Sequence, residues 1–329
     1  DRRQRQMCIR DRVLLDKNAG KNSFPIVSPS ANVVVCFDGK DETVVRKSVS
    51  LFTDDVRRVT GQDLKAQASN PGEVSARYAI IVGTAGKSAW IDALTAKKKI
   101  DITPIAGGWE RYMIETVDNP APGIKKAIVV VGSDRRGTAY GLLSISKAIG
   151  VSPWYWWADA PIKQQKKLAV NVHKFVSKEP TVKFRGIFIN DEDWGLMPWS
   201  NKTYEPSDVN GEIGPRTNER IFELLLRLRA NTYWPAMHEC TLPFFLTKGN
   251  REVAKKYGIF MGASHCEPMA CSAAGEWRRR GNGAYDYVNN SAAVYKFWED
   301  RVKEVADQEV LYTLGMRGVH DGKMQGAKT

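Results

Sequence analysis

The sequence is most informative at first through what it lacks. No apolar run approaches the roughly 18 residues that a membrane-spanning helix needs, so no membrane partner is expected of these 329 residues. Cysteine is sparse and odd in number: Cys8, Cys36, Cys240, Cys266 and Cys271, with no CxxC pair. That excludes a disulfide framework. Cys266 and Cys271 stand too alone for structural zinc, which wants four closely spaced ligands. Dense basic tracts are few, Lys97–Lys99 and Arg278–Arg280, and the remaining positive charge is scattered. A formal charge of +12 could serve nucleic acid, a membrane surface or an acidic small substrate. Scattered lysines speak against a nucleic-acid footprint and for a solvated basic surface. With 43% hydrophobic and 26% charged residues, the composition is that of a globular protein, not a disordered one.

The first twelve residues, DRRQRQMCIRDR, have neither apolar periodicity nor the apolar core of a signal peptide. They read as a non-native tail resembling translated adapter sequence, with the native start, and any secretion signal, lost. A short disordered basic tail is the plainer reading.

Residues 13–178 alternate strand-like and helix-like patterns. Asn32–Phe37, Tyr78–Val82, Tyr112–Val117 and Ala127–Val131 are short apolar runs. Helical spacing marks Thr43–Val59, Ser88–Leu94 and Gly137–Gly150. Short strands bounded by glycine and alternating with helices predict an N-terminal α/β domain. The run VVVGSDRRGTAYG (Val129–Gly141) is a strand, turn and helix that could hold a phosphate at the helix start. It is not GxGxxG, so turn chemistry is the simpler account. The aromatic segment Pro153–Pro161 (PWYWWADAP) is either a sugar platform or a wedge between domains, and the wedge is preferred. Residues 163–180 read as a polar strand or linker.

From 179 to 329 the pattern becomes repetitive. Strands are expected at Phe184–Ile189, Asn231–Met237, Ile259–Gly262 and Val310–Leu314. Helices are expected at Asn218–Ala230, with Ile221, Leu224, Leu225 and Leu228 on one face, at Thr247–Tyr257 and at Tyr285–Val305. Four βα repeats with the fourth helix missing predict the first half of a (β/α)8 TIM barrel, cut in mid-domain. A doubly wound sheet is the alternative.

Each of these strands ends in polar or aromatic residues. They are Asn190-Asp191-Glu192-Asp193, then Trp234 with His238-Glu239, then His265-x-Glu267, then Arg317 with His320-Asp321. A single carboxylate after a strand is more often a helix cap than a catalyst, but four polar ends in register read as a site. The mixture suits a sugar acid. Arginine forks onto a carboxylate, Asp and Asn take hydroxyls, and tryptophan stacks on a ring. His265 and His320 each have the plainer reading of a hydrogen-bonded neutral side chain. A metal site would draw on His265, Glu267, His238 and Asp321. It lacks an HxH pair after the first strand, and no metal is expected.

FRGIFINDED (184–193), FELLLRLRANTYWPAM (222–237), MGASHCEPM (261–269) and TLGMRGVHDGKM (313–324) resemble the successive blocks of glycoside hydrolase family 115. SPWYWWADAP (152–161) is similar to that family's approach to its barrel. The resemblance covers roughly residues 75–324. It implies an α-glucuronidase that removes glucuronic acid, often 4-O-methylated, from α-1,2 branches of xylan, inverting and needing no cofactor. It implies that Asn190, Asp191, Trp234, His265 and Arg317 bind the uronate and that Asp321 is a catalytic carboxylate activating water. Glu192, His238, Glu267 and His320 would surround them. The family's acid, a glutamate of a later strand, would lie beyond Thr329, so the chain itself is expected to be an inactive front fragment. The implied partner is glucuronoxylan or its oligosaccharides, the implied location secreted or periplasmic, and a homodimer is the expectation for the full-length protein. A non-catalytic carbohydrate-binding fragment and a metal-dependent hydrolase on a TIM barrel are the alternatives.

Overall fold

The computed structural model describes residues 14–15, 23–29, 31–263, 267–315 and 317–326. The expected tail at 1–12, and among the site residues His265, lie outside the described residues. The chain divides into two compact units. One runs to Lys183 and includes Leu226–Arg229; the other comprises Phe184–Leu225 and the residues from Ala230 onward.

The first unit contains strands β1 (Leu14–Leu15), β2 (Phe24–Val27) and β3 (Val33–Phe37), helix α1 (Thr43–Thr60), β4 (Lys65–Ala68), β5 (Ala76–Thr84), α2 (Ala89–Ala96), β6 (Tyr112–Ala121), β7 (Ile124–Gly132), α3 (Arg135–Ala148), β8 (Leu168–Asn171) and β9 (Lys174–Val176). Its main sheet has six strands in the order β4-β3-β5-β7-β6-β9. β3 pairs parallel with β4 and β5, and β5 with β7, whereas β6 runs antiparallel to β7 and to β9. The central strands are buried on both faces. Val34, Cys36, Ile81, Val129 and Val131 pack with Trp90, Ile91 and Leu94 of α2, while Val35, Ile80, Val82 and Val130 are equally buried. Continuous apolar runs are what a parallel sheet covered on both sides requires.

α1 places Val45, Val49, Phe52, Val56 and Val59 in the interior at helical spacing. It stops at Gly61, whose φ of 71° takes the left-handed turn and lets its N–H donate to the Arg57 carbonyl. α3 starts at Asp134, whose Oδ1 accepts from the backbone N–H groups of Arg136 and Gly137 at 3.0 and 2.8 Å. Its Oδ2 accepts from Glu110 N at 2.7 Å. The amides that a phosphate would need are taken by the chain's own carboxylate, which favours turn chemistry over the nucleotide reading. Two buried ion pairs complete the unit. Arg136 Nε donates to Glu110 at 2.7 Å, and Arg227 forks onto Asp55 at 2.8 and 2.9 Å. In the aromatic segment, the Tyr155 ring receives the guanidinium groups of Arg58 and Arg227 at 4.9 and 5.0 Å. Trp156 and Trp157 meet edge-on, which offers no flat two-ring platform to a sugar. Residues 163–180, expected as a polar strand or linker, contain two short strands, β8 and β9.

The second unit contains β10 (Gly186–Phe188), the single turn α4 (Leu196–Trp199), α5 (Pro215–Arg227), β11 (Thr232–Trp234), α6 (Asn250–Tyr257), β12 (Phe260–Met261), the single turn α7 (Trp277–Arg280) and α8 (Ser291–Glu304). β10, β11 and β12 form a parallel sheet in chain order. Consecutive parallel strands joined by helices are the βα pattern the sequence predicts.

Four details differ from expectation. α5 begins at Pro215, ahead of Asn218, because Glu205 accepts from the backbone N–H groups of Arg216 and Thr217 at 3.0 and 2.9 Å and proline suits a first helical position. Leu228 lies past the end of that helix and is 43% exposed, whereas Ile221, Phe222, Leu224 and Leu225 are buried. α8 starts at Ser291, not Tyr285. Asp286 Oδ1 accepts from Val288 N and Asn289 N at 2.8 and 3.0 Å, a local turn that competes with helix. The strand expected at Val310–Leu314 is present only as two separate parallel bridges, Met261 with Val310 and Pro268 with Thr313. Pro268 has no N–H to extend a ladder.

Candidate active site

Because β10, β11 and β12 are parallel and in register, the residues following them emerge along one edge of the sheet. Asn190 and Asp191 follow β10 and are exposed. Asn190 Nδ2 donates to Asp191 Oδ2 at a long 3.4 Å. Asp191 is left-handed (φ 56°) and starts the tight turn Glu192–Trp194. That turn sends Glu192 inward while its neighbours face out. The Glu192 side chain is buried, and its Oε1 accepts from His238 N and Thr241 Oγ1, both at 2.9 Å. The loop after β10 is thereby fastened to the loop after β11. Glu192 Oε2 lies 3.8 Å from His238 Nδ1 and has no hydrogen-bond partner among the described residues. His238 Nδ1 instead meets Asp193 Oδ1 at 3.0 Å. Burial first, and then the Glu192 charge, push the Tyr233 phenol well above its ordinary value, so this interior ring is neutral and structural.

Trp234, the last residue of β11, is 39% exposed. It meets Phe188 of β10 edge-on at 5.6 Å. On its other side it lies so close to Gly262 that a Cβ there would overlap the indole. Glycine after β12 is thus the condition for the indole's position, a close approach that only a residue without a side chain permits.

Arg317 and Asp321 find each other. Arg317 Nη2 donates to Asp321 Oδ1 at 2.8 Å, and Arg317 Nε donates to the His320 carbonyl at 3.2 Å. Asp321 is largely solvent-exposed. His320 Nε2 lies 3.2 Å from Glu239 Oε1, which connects this last loop with the loop after β11. Glu267 is buried.

The structure therefore brings together Asp191, Glu192, Asp193 and His238 in one group, and Arg317, His320 and Asp321 in another, with Glu239 joining the second to the β11 loop. Asp191, Asp193 and His238 each present one ligand-type atom within 4.8 Å of the other two. This is a different set from the metal grouping suggested by the sequence, in which His238 was joined with His265, Glu267 and Asp321. The exposed Asp191 and Asp193 and the half-buried His238 could equally hydrogen-bond to hydroxyl groups. Thr241 and Gly262 were missed by sequence reasoning. Thr241 follows His238 at a spacing that carries no motif, and Gly262 read as a strand terminus.

The family model for glycosyl hydrolase family 115 matches residues 177–329. A solved structure of a GH115 4-O-methyl-α-glucuronidase, BtGH115A, described as specific for decorated arabinogalactans, is 59% identical with a TM-score of 0.82. The match covers 93% of this chain and 38% of that one. The chitobiase of Flavobacterium johnsoniae matches at 13% identity and a TM-score of 0.50, over 94% of this chain and 44% of that one, a likeness of fold alone. No curated protein matches. Identity at this level over nearly the whole chain, with the family's pattern carried by the unit that bears the polar strand ends, leads to one conclusion: the chain belongs to glycosyl hydrolase family 115.

Proposed function

We propose that this chain carries the uronate-binding part of a glycoside hydrolase that releases glucuronic acid, or its 4-O-methyl ether, from α-linked polysaccharide branches. The observation that carries the reading is the 59% identity to a 4-O-methyl-α-glucuronidase, together with polar side chains at successive parallel strand ends. In this reading residues 13–178 are an N-terminal α/β domain, and β10, β11 and β12 are opening strands of a (β/α)8 barrel in the domain from 179 onward, whose strand ends hold the site. Arg317 clamps the substrate carboxylate, Asn190 and Asp191 take ring hydroxyls, Trp234 stacks on the sugar face, and His265 completes the pocket. Asp321 activates water for an inverting displacement, which needs a second carboxyl roughly 6.5–9.5 Å away. No residue of this chain is assigned that second role. An extracellular or periplasmic setting and a homodimeric full-length protein belong to the same proposal.

For the polymer, xylan follows from the resemblance, and side chains of an arabinogalactan follow from the specificity of the 59% identical relative. The second is favoured by that identity.

Arg317→Lys tests the clamp. Lysine keeps the charge and loses the two-pronged geometry. Binding of glucuronic acid and 4-O-methylglucuronic acid, followed by saturation-transfer NMR, should weaken about tenfold or more while glucose is unaffected. Equal weakening of glucose would make Arg317 a scaffold for Asp321. The 329-residue chain is expected to bind glucuronidated arabinogalactan; with no second carboxyl assigned in it, release of uronic acid should be about 10²–10⁴-fold slower than with acid and base together. Release at the rate of the family's enzymes would place both carboxyls within it.

A further inference from the structure

The first unit has a cleft that the site described above does not use. It lies beside the turn joining β6 to β7 and the segment following α2, an open surface hollow of about 510 Å³. That volume lies within the range of ordinary ligand sites. Three lysines line it, Lys97, Lys99 and Lys125, and no acidic residue does. All three are exposed. Among the described residues none of the three takes part in an ion pair, whereas the neighbouring Lys126 pairs with Asp118 at 3.6 Å. Acids of the flanking segments are engaged too. Asp101 accepts from Thr103 N, and Glu73 accepts from the backbone and side chain of Asn70. The floor is apolar, with Pro120 and Ile124 buried and Pro122 exposed beside them.

We infer that this cleft is a secondary binding site for an acidic polysaccharide, the lysines holding its carboxylates and the proline–isoleucine floor meeting the apolar faces of its sugar rings. Lysine ammonium groups are point charges on flexible stems. They suit carboxylates strung along a chain at varying spacing better than one fixed fork. The lining includes no aromatic residue, so the stacking platform that single-stranded nucleic acid uses is absent from it. An overall charge of +12 draws a polyanion in from a distance, an attraction that salt screens. The inference rests on the reading of the chain as acting on a uronate-bearing polysaccharide. It adds a second point of attachment, remote in sequence from Arg317 and Asp321.

The test is affinity electrophoresis of the 329-residue chain in gels containing glucuronoxylan, its carboxyl-reduced form, or oligouridylate. The parent should be retarded by glucuronoxylan and not by the reduced polymer. The triple variant Lys97→Ala, Lys99→Ala, Lys125→Ala should lose affinity roughly tenfold, the sum of three exposed charge contacts. The corresponding triple arginine variant should retain it. In an Arg317→Ala background the triple alanine change should lower the remaining affinity by the same factor. An unchanged triple alanine variant overturns the inference, as does retardation abolished by Arg317→Ala alone. A stronger dependence on the lysines with oligouridylate than with the glycan overturns the ligand class. Failure of the uronate reading is separately visible, because it shows in monosaccharide binding at Arg317 and not in the lysine variants.

Discussion

Replacing Glu192 by alanine should destabilise the second unit more than any other change among the polar strand ends. The side chain is fully buried. Its Oε1 accepts two hydrogen bonds of 2.9 Å, from His238 N and Thr241 Oγ1. Bonds to a charged group are worth about 1.5–3 kcal/mol each, and removing the acceptor leaves both donors unsatisfied in the interior. The two losses share one side chain and are not additive, so the total should be about 3–5 kcal/mol. At about 2–4 °C per kcal/mol for a unit of this size, melting should fall by roughly 6–20 °C. Glutamine keeps one accepting oxygen and loses only the charge assistance, so it should cost about 1–2 kcal/mol. Thermal unfolding followed by circular dichroism reads the total. Hydrogen exchange at the His238 amide reads the bond itself. Thr241→Ala supplies the coupling. Its cost of about 1 kcal/mol in the parent should vanish in the Glu192→Ala background. If the alanine variant melts within a degree or two of the parent and the His238 amide exchanges at the parental rate, Glu192 does not fasten the two loops.

Gly262→Ala should displace the Trp234 indole and cost about 1–3 kcal/mol through overpacking; an unshifted indole resonance in NMR, assigned with Trp234→Phe, would contradict the close approach. Asp321→Asn should free Arg317 from its internal partner and tighten glucuronate up to about fivefold at ordinary salt; weaker binding would mean that Asp321 holds Arg317 in place and does not compete for it. Iodoacetamide at pH 8 should label Cys240 well ahead of Cys36 and Cys271, as read by peptide mass spectrometry. Cys240 is exposed and the other two are buried, and burial raises those thiols to about 11 and about 12. Their reactive thiolate fraction at pH 8 is then only about 10⁻³ and 10⁻⁴, and their labelling should climb with each further pH unit.

The elements legible in the sequence are those whose burial leaves a mark on composition. β3 and the inner stretches of β5 (Ala79–Val82) and β7 (Ala127–Val131) are continuously apolar because helices cover both faces of their sheet, and α1 shows its buried valines at helical spacing. β4 left no such mark. KAQA is mostly exposed at the edge of the sheet, and its pairing is carried by backbone groups common to every residue. The start of α8 is expected six residues too early, at Tyr285 and not Ser291. The carboxylate of Asp286 decides the matter by taking two backbone N–H groups for a turn, a competition that periodicity does not register.

The strand ends show where reading by residue type stops. Asn190-Asp191-Glu192-Asp193 is a uniformly polar run, and its polarity alone suggests four groups facing a ligand. The backbone divides them. A left-handed Asp191 begins a tight turn, and that turn carries Glu192 into the interior while Asp191 and Asp193 stay exposed. The most buried carboxylate of the run is thus the one least available to a substrate, and its work is to hold His238 and Thr241. Likewise Arg317 and Asp321, each singled out for its own chemistry, lie four residues apart and neutralise one another at 2.8 Å. Under the proposed clamp, a uronate that takes the Nη2 donor of Arg317 would release Asp321 as it binds. Recognition of the sugar acid and liberation of the carboxylate meant to activate water would then be one exchange of partners on a single guanidinium. That coupling follows from the distance between two side chains, which no inventory of residue types contains.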